Sequence, residues 1–336
     1  MTIINGIEID DIKYTNNDIK SAIINNDPIE ENLHCVIVIS NPCQYARRFI
    51  LAREFIKRFE NEMNVILYVV ELAYGNQKFY VTEKNNPQHL QIRASMNQVL
   101  WHKENMINMG VSKLLPKKWK AFAWIDADIE FENPSWALDT LKVLNGSCDI
   151  VQLFSHAVDM DKQMNAMSIY PSFGFQYSKQ RPYGLPGCNF WHPGFAWAMT
   201  RKAYDRVGGL YCHSILGSGD HNMAFGLMSK GEKSVNINTT YEYKQSVVEF
   251  ENKAKNLRLG YIPGVIRHHF HGSKKNRKYT ERWQILVENK YNPYLHVTIN
   301  EDGLLIPTPE CPQQLLDDIM QYFSERNEDE GYLENF

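Results

Sequence analysis

The sequence predicts an α/β fold in which a mainly parallel sheet lies at the centre. Residues 33–40 and 64–73 are apolar runs rich in β-branched side chains, which is typical of buried strands. Residues 44–62, between them, carry apolar side chains at helical spacing. Strand, helix and strand at this spacing form a right-handed βαβ unit, and such units build parallel sheets. A third apolar run, residues 121–125, ends directly at two carboxylates and is predicted to be a further buried strand.

The rest of the chain predicts alternating short strands and helices, interrupted by one long irregular stretch. Further strands are expected at residues 79–82, 149–154, 192–200 and, with an interrupting turn, 259–267. Helices are expected from residue 87 to a stop at Gly110, over 134–144, through Tyr204 to Gly208-Gly209, over 222–228 and 239–257, from Thr280, and over 311–324. Residues 155–192 show little periodicity, and we interpret them as a lid or a substrate loop.

Composition excludes several classes of protein. The 336-residue chain has a formal net charge of -3, which argues against a non-specific nucleic-acid binder. The six cysteines are evenly spread without a C-x-x-C pair, so we expect free thiols rather than a disulfide framework. There is neither a signal-peptide pattern nor an apolar run of about 18 residues. We therefore expect a cytoplasmic protein without a membrane span.

The two carboxylates at the end of the third strand, Asp126 and Asp128, form a DXD pattern. Burying such a pair without a partner is costly, and a hard divalent cation that prefers oxygen ligands is a suitable partner. Ligands of open α/β sheets bind just beyond the carboxyl ends of the strands. A pair of surface aspartates in a turn would look the same in isolation. The preceding run Phe122-Ala-Trp-Ile favours a site where Mn²⁺ or Mg²⁺ holds a diphosphate.

A second candidate for this site is the histidine-rich segment His268-His269-Phe-His271-Gly272. Imidazole suits Mn²⁺ and similar ions, so the segment could supply a further metal ligand. If the segment is extended, His269 and His271 point to one side and His268 to the other, so all three cannot serve one ion. A zinc site and hydrogen-bonded core histidines are the alternatives.

Cations and one acidic loop complete the set of candidates. The run from Lys274 to Lys278, which includes Arg277, could clamp a diphosphate or could be a solvated face. Asp220 follows Gly-Ser-Gly at the start of a predicted helix, where it could act as a general base or simply as an N-cap. The aromatic side chains of Trp191, Trp197 and Tyr183 could line a sugar pocket or pack in the core.

Four segments of the chain resemble segments of one family of enzymes, and they occur in the same order along the sequence. Phe-Ala-Trp-Ile-Asp126-Ala-Asp128 is similar to the DXD strand of GT-A-fold, nucleotide-sugar-dependent glycosyltransferases, and most of all to β-1,4-galactosyltransferases and chondroitin-synthase-type enzymes. The segment from Lys103 to Gly110 resembles the helix that precedes that strand. The segment from His192 to Gly209 resembles the strand and helix that lead to the catalytic acidic loop. The run Val265-Ile-Arg-His268 resembles the segment with a metal-ligand histidine. The likeness spans roughly residues 33–290.

The resemblance implies a Rossmann-like GT-A fold with a mixed, mainly parallel sheet, and a hexosyltransferase that works with inversion. The family's Trp-Gly-Gly-Glu-Asp run is represented here by Gly217-Ser-Gly-Asp220, so its base maps onto Asp220. Position in the string Ile-Arg-His favours His268 as metal ligand, and the His-Gly ending favours His271. The expected residues are, for the metal, Asp126, Asp128, His268 and His271, and, for the nucleotide sugar, Asp126, Lys103, Asn108, Lys274 and Arg277.

We therefore expect a metal-dependent enzyme that transfers sugar from a UDP-sugar to a hydroxyl of a glycan, glycoprotein or other acceptor. A sugar-1-phosphate nucleotidyltransferase is less favoured because Ser40-Asn-Pro-Cys-Gln lacks the glycines of a phosphate loop. A non-catalytic carbohydrate- or nucleotide-sugar-binding protein remains a third interpretation. The expected organisation is an N-terminal extension (1–32), a GT-A domain (33–290) with a nucleotide-binding half (33–154) and an acceptor or catalytic half (155–290), and a C-terminal helix with an acidic tail (291–336), mobile from Glu325.

Overall fold

The fold is described from a computed structural model, which covers residues 2–4, 7–9, 28–183 and 191–330. Its strands are β1 (Thr2–Ile4), β2 (Ile7–Ile9), β3 (Leu33–Ser40), β4 (Val65–Tyr74), β5 (His89–Ala94), β6 (Ala121–Ile125), β7 (Ile129–Phe131), β8 (Ile150–Gln152), β9 (His156–Met160), β10 (Ala166–Pro171), β11 (Ala196–Thr200), β12 (Leu259–Tyr261), β13 (Val265–His268), β14 (Val297–Ile299) and β15 (Leu305–Pro307). Its α-helices are α1 (Ala46–Phe59), α2 (Lys103–Lys113), α3 (Trp136–Leu144), α4 (Phe173–Ser178), α5 (Arg201–Val207), α6 (Gly219–Leu227), α7 (Tyr241–Ala254), α8 (Trp283–Glu288), α9 (Pro293–His296) and α10 (Gln313–Glu325).

In the described chain, the central sheet has seven strands in the order β12-β8-β11-β6-β3-β4-β5. Neighbouring strands are parallel except at β11, which runs antiparallel to both β8 and β6. This confirms the predicted α/β class with a mixed, mainly parallel central sheet. Because β3 and β6 are parallel neighbours, their carboxyl ends at Ser40 and Ile125 lie at the same edge of the sheet.

The two faces of this sheet are covered by different helices. Cys35 and Ile37 of β3 share a core with α1 and α3, whereas Val36, between them, shares a core with α2. This alternation follows from the two-residue period of a strand. A Cβ at Gly110 would lie 2.9 Å from Cγ1 of Val36, so α2 needs a glycine to pack this closely. The prediction that Gly110 ends the helix is wrong, because α2 continues to Lys113.

A smaller sheet, in the order β10-β9-β13-β7, positions the histidine-rich segment that begins at the end of β13. Strand β13 pairs antiparallel with β7 and parallel with β9. Strand β7 follows directly after the DXD pair at the end of β6. The smaller sheet therefore brings the segment after β13 next to the carboxyl edge of the central sheet.

Two predicted elements between β4 and α2 are wrong. Residues 79–82 form a loop whose backbone amides at Tyr80, Val81 and Thr82 donate to the Glu71 carboxylate, instead of to a neighbouring strand. The α-helix expected from residue 87 is absent from the first part of that stretch, where strand β5 pairs with β4 instead. The α-helix α2 starts only at Lys103. Apolar spacing over a short run fits both periods, and pairing with an available strand edge decides between them.

Residues 155–192 are also more ordered than predicted. They contain β9, β10 and α4, and the interpretation as one long loop is wrong. Residues 184–190 of this stretch lie outside the described residues. The apolar side chains of Met167 and Ile169 in β10 are about half exposed, which hides the usual alternation of a strand from pattern analysis.

The C-terminal residues differ from their prediction as well. The tail expected to be mobile from Glu325 is packed as far as residue 330, and Arg326 and Glu328 are only 4% and 1% exposed. Composition could not reveal this, because a further partner of Glu328, Arg48, lies elsewhere in the chain. Residues 331–336 lie outside the described part, as do Asn5 and Gly6 between β1 and β2, which pair antiparallel. The division into domains stays a prediction.

Two expectations from composition concern thiols and membrane spans. The described cysteines at positions 35, 43, 148, 212 and 311 are free, and Cys188 lies outside the described residues. None of the helices in the described ranges is long and apolar enough to cross a membrane.

Candidate active site

The pairing of β7 with β13 brings the DXD pair and the histidine segment together. His268 lies opposite Ile129 in this antiparallel pair, and the backbone N–H of His269 donates to the carbonyl of Asp128 at 2.8 Å. Two backbone segments that are far apart in sequence are thus fixed at hydrogen-bonding distance. Asp128 and the histidines meet because of sheet register, which a local sequence pattern does not contain.

Asp128, His268 and His271 form a cluster in which one ligand atom from each lies within 4.8 Å of the others. Nε2 of His271 is 2.9 Å and Nε2 of His268 is 3.8 Å from Oδ2 of Asp128. Both imidazoles are buried, and Oδ1 of Asp128 is buried without a hydrogen-bond partner. An orphaned carboxylate oxygen beside two imidazole nitrogens is a donor set that suits Mn²⁺ and similar divalent ions.

The expected pairing of the histidines by a two-residue period is wrong. His268 and His271 converge on Asp128, while Nε2 of His269 lies 3.4 Å from Glu130 Oε2. Strand β13 ends at His268, so the period does not continue, and the chain then turns at Gly272, which has φ of +84°. Both histidines that the resemblance offered as alternatives therefore lie in one cluster.

The charges of the cluster are set by its own members. Burial alone would raise the pKa of the Asp128 carboxyl, but His271 and His268 hold it well below its usual range. Burial alone would lower the pKa of His268, but Asp128 and Asp159 raise it above its usual value. The carboxylate is thus kept ionised in a site with little solvent, as a metal ligand must be.

Asp159 of β9 is a site residue that the sequence analysis missed. Its Oδ1 accepts a hydrogen bond from Nδ1 of His268 at 2.7 Å, and Lys274 pairs with its other oxygen. A carboxylate that accepts from the second nitrogen of a metal-binding histidine fixes the tautomer and points Nε2 at the ion. The only sequence signal for Asp159 was a charged residue between apolar ones, which looked like part of a loop.

An open cleft lies beside this cluster at the carboxyl ends of β3 and β6. Its floor is made by residues of those strand ends, and its walls come from α1, α2 and the C-terminal helix. The polar and aromatic side chains that line it are Ser40, Arg48, Trp101, His102, Lys103, Asp126, Asp128, His271 and Phe323. The cleft therefore carries cations and aromatic rings next to the metal-type ligands, at the edge where open α/β sheets bind ligands.

Asp126 has a different partner from Asp128. Its carboxylate pairs with Lys103 from the start of α2 instead of joining the Asp128 cluster. Burial raises the pKa of Asp126, Lys103 opposes this, and the charges of Asp128 and Asp220 add to the rise. Lys103 and Asp126 thus both line the cleft, as an ion pair with each other.

Asp220 lies in the first turn of α6, and its Oδ1 accepts from the backbone N–H of His221 at 2.8 Å. A Cβ on Gly194 would be 2.9 Å from Asp220 Oδ2 and 3.0 Å from His192 Cε1, so Gly194 leaves room between these two side chains. Asp220 is close enough to Lys103 and Asp126 to raise the pKa of both. It is not among the residues that line the cleft described above.

The loop before Asp220 is built around two residues that the sequence analysis did not single out. Glu104 is buried, and any side chain at Gly219 would collide with its carboxyl group. Burial raises the pKa of Glu104 to about 8, with Lys103 opposing and Asp220 adding to the rise. Ser218 has φ of +77°, which is rare for a non-glycine residue, and its hydroxyl accepts from Arg282 at 2.5 Å. This loop is held in one conformation by tertiary contacts.

The other predicted ligand-binding residues lie in two different places. Both oxygen and nitrogen of the Asn108 amide bond the backbone of Leu210, at 2.8 and 2.9 Å, so Asn108 joins α2 to a neighbouring turn and does not line the cleft. Lys274 and Arg277 border a second hollow on the other side of His268 and His271. Nη2 of Arg277 donates to Nε2 of His271 at 2.7 Å.

The predicted aromatic residues divide between core and surface. Trp197 is buried in the sheet and stacks on Trp124 with ring centroids 6.4 Å apart. Trp191 is buried against Phe173, and Tyr183, which packs on Trp191, is 41% exposed. Tyr183 and Trp191 flank residues 184–190, which lie outside the described residues. Trp197 therefore packs in the core, and Tyr183 is open to solvent.

Comparisons with known proteins find similarity to solved structures but not to a known family. No model of a known protein family matches the chain, and no curated protein matches it. The chain is similar to the catalytic domain of Drosophila beta1,4-galactosyltransferase 7 in complex with xylobiose, with a TM-score of 0.39 and 10% sequence identity. The similarity covers 86% of this chain and 99% of that one. A TM-score this low does not assign the chain to that enzyme's family.

Proposed function

We propose that this protein is a metal-dependent glycosyltransferase that moves a sugar from a UDP-sugar to an acceptor hydroxyl, with inversion. The observation that carries the proposal is the convergence of Asp128, His268 and His271 beside a cleft at the carboxyl edge of the sheet. The DXD resemblance gives this geometry its chemical interpretation.

Asp128, His268 and His271 would hold Mn²⁺ or Mg²⁺. Two imidazoles and one carboxylate suit Mn²⁺ better than they suit Mg²⁺. When bound, the ion would neutralise the negative charge that develops on the diphosphate leaving group. The unpartnered Oδ1 of Asp128 supports this, because a buried carboxylate oxygen without a donor is otherwise costly.

The side chains of the cleft would bind the rest of the donor. Lys103 and Arg48 line the cleft and carry charges that complement phosphate oxygens. Trp101 offers an aromatic face on which a nucleobase could stack. Lys274 and Arg277 lie behind the histidines, where they add positive charge near the leaving group.

Asp220 would act as the general base. The acceptor hydroxyl loses its proton to the Asp220 carboxylate while its oxygen bonds the anomeric carbon of the sugar. The bond from that carbon to the diphosphate oxygen breaks in the same displacement, and UDP leaves. Attack opposite the leaving group inverts the anomeric centre, and no covalent sugar–protein bond is formed.

The test is UDP release and sugar transfer, measured over a panel of UDP-sugars with hydroxyl acceptors, Mn²⁺ or EDTA. We expect turnover with Mn²⁺, loss of turnover with EDTA, and loss of turnover in Asp128→Ala. Turnover that persists in Asp128→Ala would overturn the metal assignment. Tight UDP binding without any product, over long incubation with every donor and acceptor, would instead support a non-catalytic binding protein.

A further inference from the structure

Glu328, near the C-terminus, is a buried carboxylate that lies beside the candidate metal ligand His271. It is 1% exposed, which is costly for an ion without partners. Nη2 of Arg48 and Nε of Arg326 donate to its Oε1 at 2.9 and 2.6 Å. Burial alone would raise the pKa of Glu328, but Arg48 and Arg326 hold it well below its usual range. The group is therefore a fixed negative charge.

The segment around Glu328 is anchored on both sides. The carboxylate of Asp329 accepts from the backbone amides of Ala46 and Arg47, at 2.9 and 2.8 Å, and so satisfies two free donors at the start of α1. The hydroxyl of Tyr45 donates to the carbonyl of Ser324 at 2.6 Å. These bonds tie residues 324–329 to the wall of the cleft and leave Glu328 little freedom to move.

Glu328 faces the second nitrogen of a candidate metal ligand. Its Oε2 lies 3.5 Å from Nδ1 of His271, while Nε2 of the same ring lies 2.9 Å from Oδ2 of Asp128. Nη2 of Arg277 also lies beside this ring, 2.7 Å from Nε2 and 3.3 Å from Nδ1.

His268 and His271 are thus arranged alike. Each presents Nε2 to Asp128 and Nδ1 to a buried carboxylate, which is Asp159 for His268 and Glu328 for His271. Such a carboxylate normally orients a metal-bound histidine and increases its basicity. We propose that Glu328 is a positioning residue that orients His271 toward the metal, so that the docked C-terminal segment is part of the metal site. This inference rests on the metal site of the proposed function.

The main alternative is that Glu328 only neutralises Arg48 and Arg326. The two roles separate in a titration of Mn²⁺ binding, followed by electron paramagnetic resonance of free Mn²⁺ and by calorimetry, without donor or acceptor. Glu328→Gln removes the charge at nearly constant shape. Glu328→Asp keeps the negative charge but shortens the side chain by about 1.5 Å, the length of one C–C bond, so its contact with His271 is lost. Arg326→Gln disturbs the ion pair and leaves Glu328 in place.

We expect Glu328→Gln and Glu328→Asp to bind Mn²⁺ about tenfold more weakly or worse, the range typical of such carboxylates. Arg326→Gln should bind Mn²⁺ like the wild type, even if its thermal unfolding temperature falls. Glu330→Gln, in the same segment but paired with Asn276, is the matched control and should also bind normally. Glu328→Asp is expected to fold, so the result does not depend on tolerance of Glu328→Gln.

The inference is overturned if Glu328→Asp binds Mn²⁺ as tightly as the wild type, or if Arg326→Gln weakens binding by the same factor. Failure of the proposed function looks different. If the metal assignment fails, the wild-type protein itself binds no Mn²⁺. If only the catalytic assignment fails, the wild type still binds Mn²⁺ but transfers no sugar.

Discussion

Asp126 and Asp128 leave the same strand end, but they enter surroundings of opposite character. Around Asp126 a single cation faces three carboxyl groups, and we call this set the acidic side: Lys103, Glu104, Asp126 and Asp220. Around Asp128 two imidazoles approach one carboxylate, and we call this set the histidine side: Asp128, Asp159, His268 and His271. Two carboxylates that are only two residues apart therefore have different partners. Asp126 pairs with a lysine, and Asp128 lies between two histidines.

The difference shows how the two sides divide the work. Burial raises the pKa of Asp126, and it raises that of Glu104 to about 8, with the charge of Asp220 adding to both rises. The histidine side keeps Asp128 and Asp159 ionised, despite burial that acts in the opposite direction. Changes on the histidine side should alter metal affinity, and changes on the acidic side should alter donor binding, proton transfer or pH dependence.

The largest effect is expected from Asp220→Asn on the acidic side. Loss of the general base should lower the turnover number by about 10²–10⁴-fold, while the affinities for Mn²⁺ and UDP stay at their wild-type values. Steady-state kinetics and calorimetry on the same samples measure both. Asp205→Asn is the control, because this exposed carboxylate pairs with Arg201 on the surface. Weakened Mn²⁺ binding in Asp220→Asn would break the division between the two sides.

Asp159→Asn should show the reverse pattern on the histidine side. Because the carboxylate orients His268, its loss should weaken Mn²⁺ binding by about 10–100-fold, and activity should return at high Mn²⁺ concentration. Asp161→Asn is a matched control in the neighbouring turn, where an amide can replace the capping carboxylate. A fall in activity that no Mn²⁺ concentration restores would place Asp159 outside the role described here.

Lys103→Met should weaken UDP binding without changing Mn²⁺ binding. One charge-assisted contact is worth about 1.5–3 kcal/mol, so we expect a loss of about 10- to 100-fold in UDP affinity. Lys113→Met, at the other end of α2, serves as the control because Lys113 bonds the carbonyl of Asp302 on the surface. UDP affinity equal to that of the wild type in Lys103→Met would mean that this lysine serves Asp126 alone.

The smallest effect concerns the pH dependence of stability through Glu104. Its pKa is raised from 4.5 to about 8, so the stabilisation that comes from the neutral carboxyl is complete below about pH 4.5 and is lost as the pH rises to about 8. Glu104→Gln stays neutral, and its free energy of unfolding should fall less than that of the wild type between about pH 5 and about pH 8. Urea unfolding at both pH values decides this, and parallel pH profiles would contradict it.

The sequence specified the buried strands closely because their signal is local. Strands β3 and β6 have the predicted bounds, since each is an uninterrupted apolar run that ends at polar or turn-forming residues. Strand β9 was missed because its buried Asp159 interrupts the apolar pattern. Asp159 is buried at this position with a hydrogen bond to His268. Local rules fail here at the position where the candidate site needs a charge inside.

The partners of the site could not be predicted in the same way. The convergence of His268 with His271 depends on the end of β13 and on the turn at Gly272, and both are tertiary features. Glu328 is in an acidic stretch that predicts disorder, and it is buried only because Arg48 and Arg326 neutralise it. Asp126, Asp128 and Lys103 were found from sequence because they flank a strong strand signal or the resembling helix. Their actual partners follow from register and packing.

The central claim is that Asp128, and not Asp126, belongs to the metal site. It is tested most directly by titrating the wild type, Asp128→Asn and Asp126→Asn with Mn²⁺ in the absence of donor. We expect one ion per chain in the wild type, binding at least about 100-fold weaker in Asp128→Asn, beyond the range for outer carboxylates, and near-normal binding in Asp126→Asn. No binding by the wild type, or the opposite order of the two variants, would contradict the account.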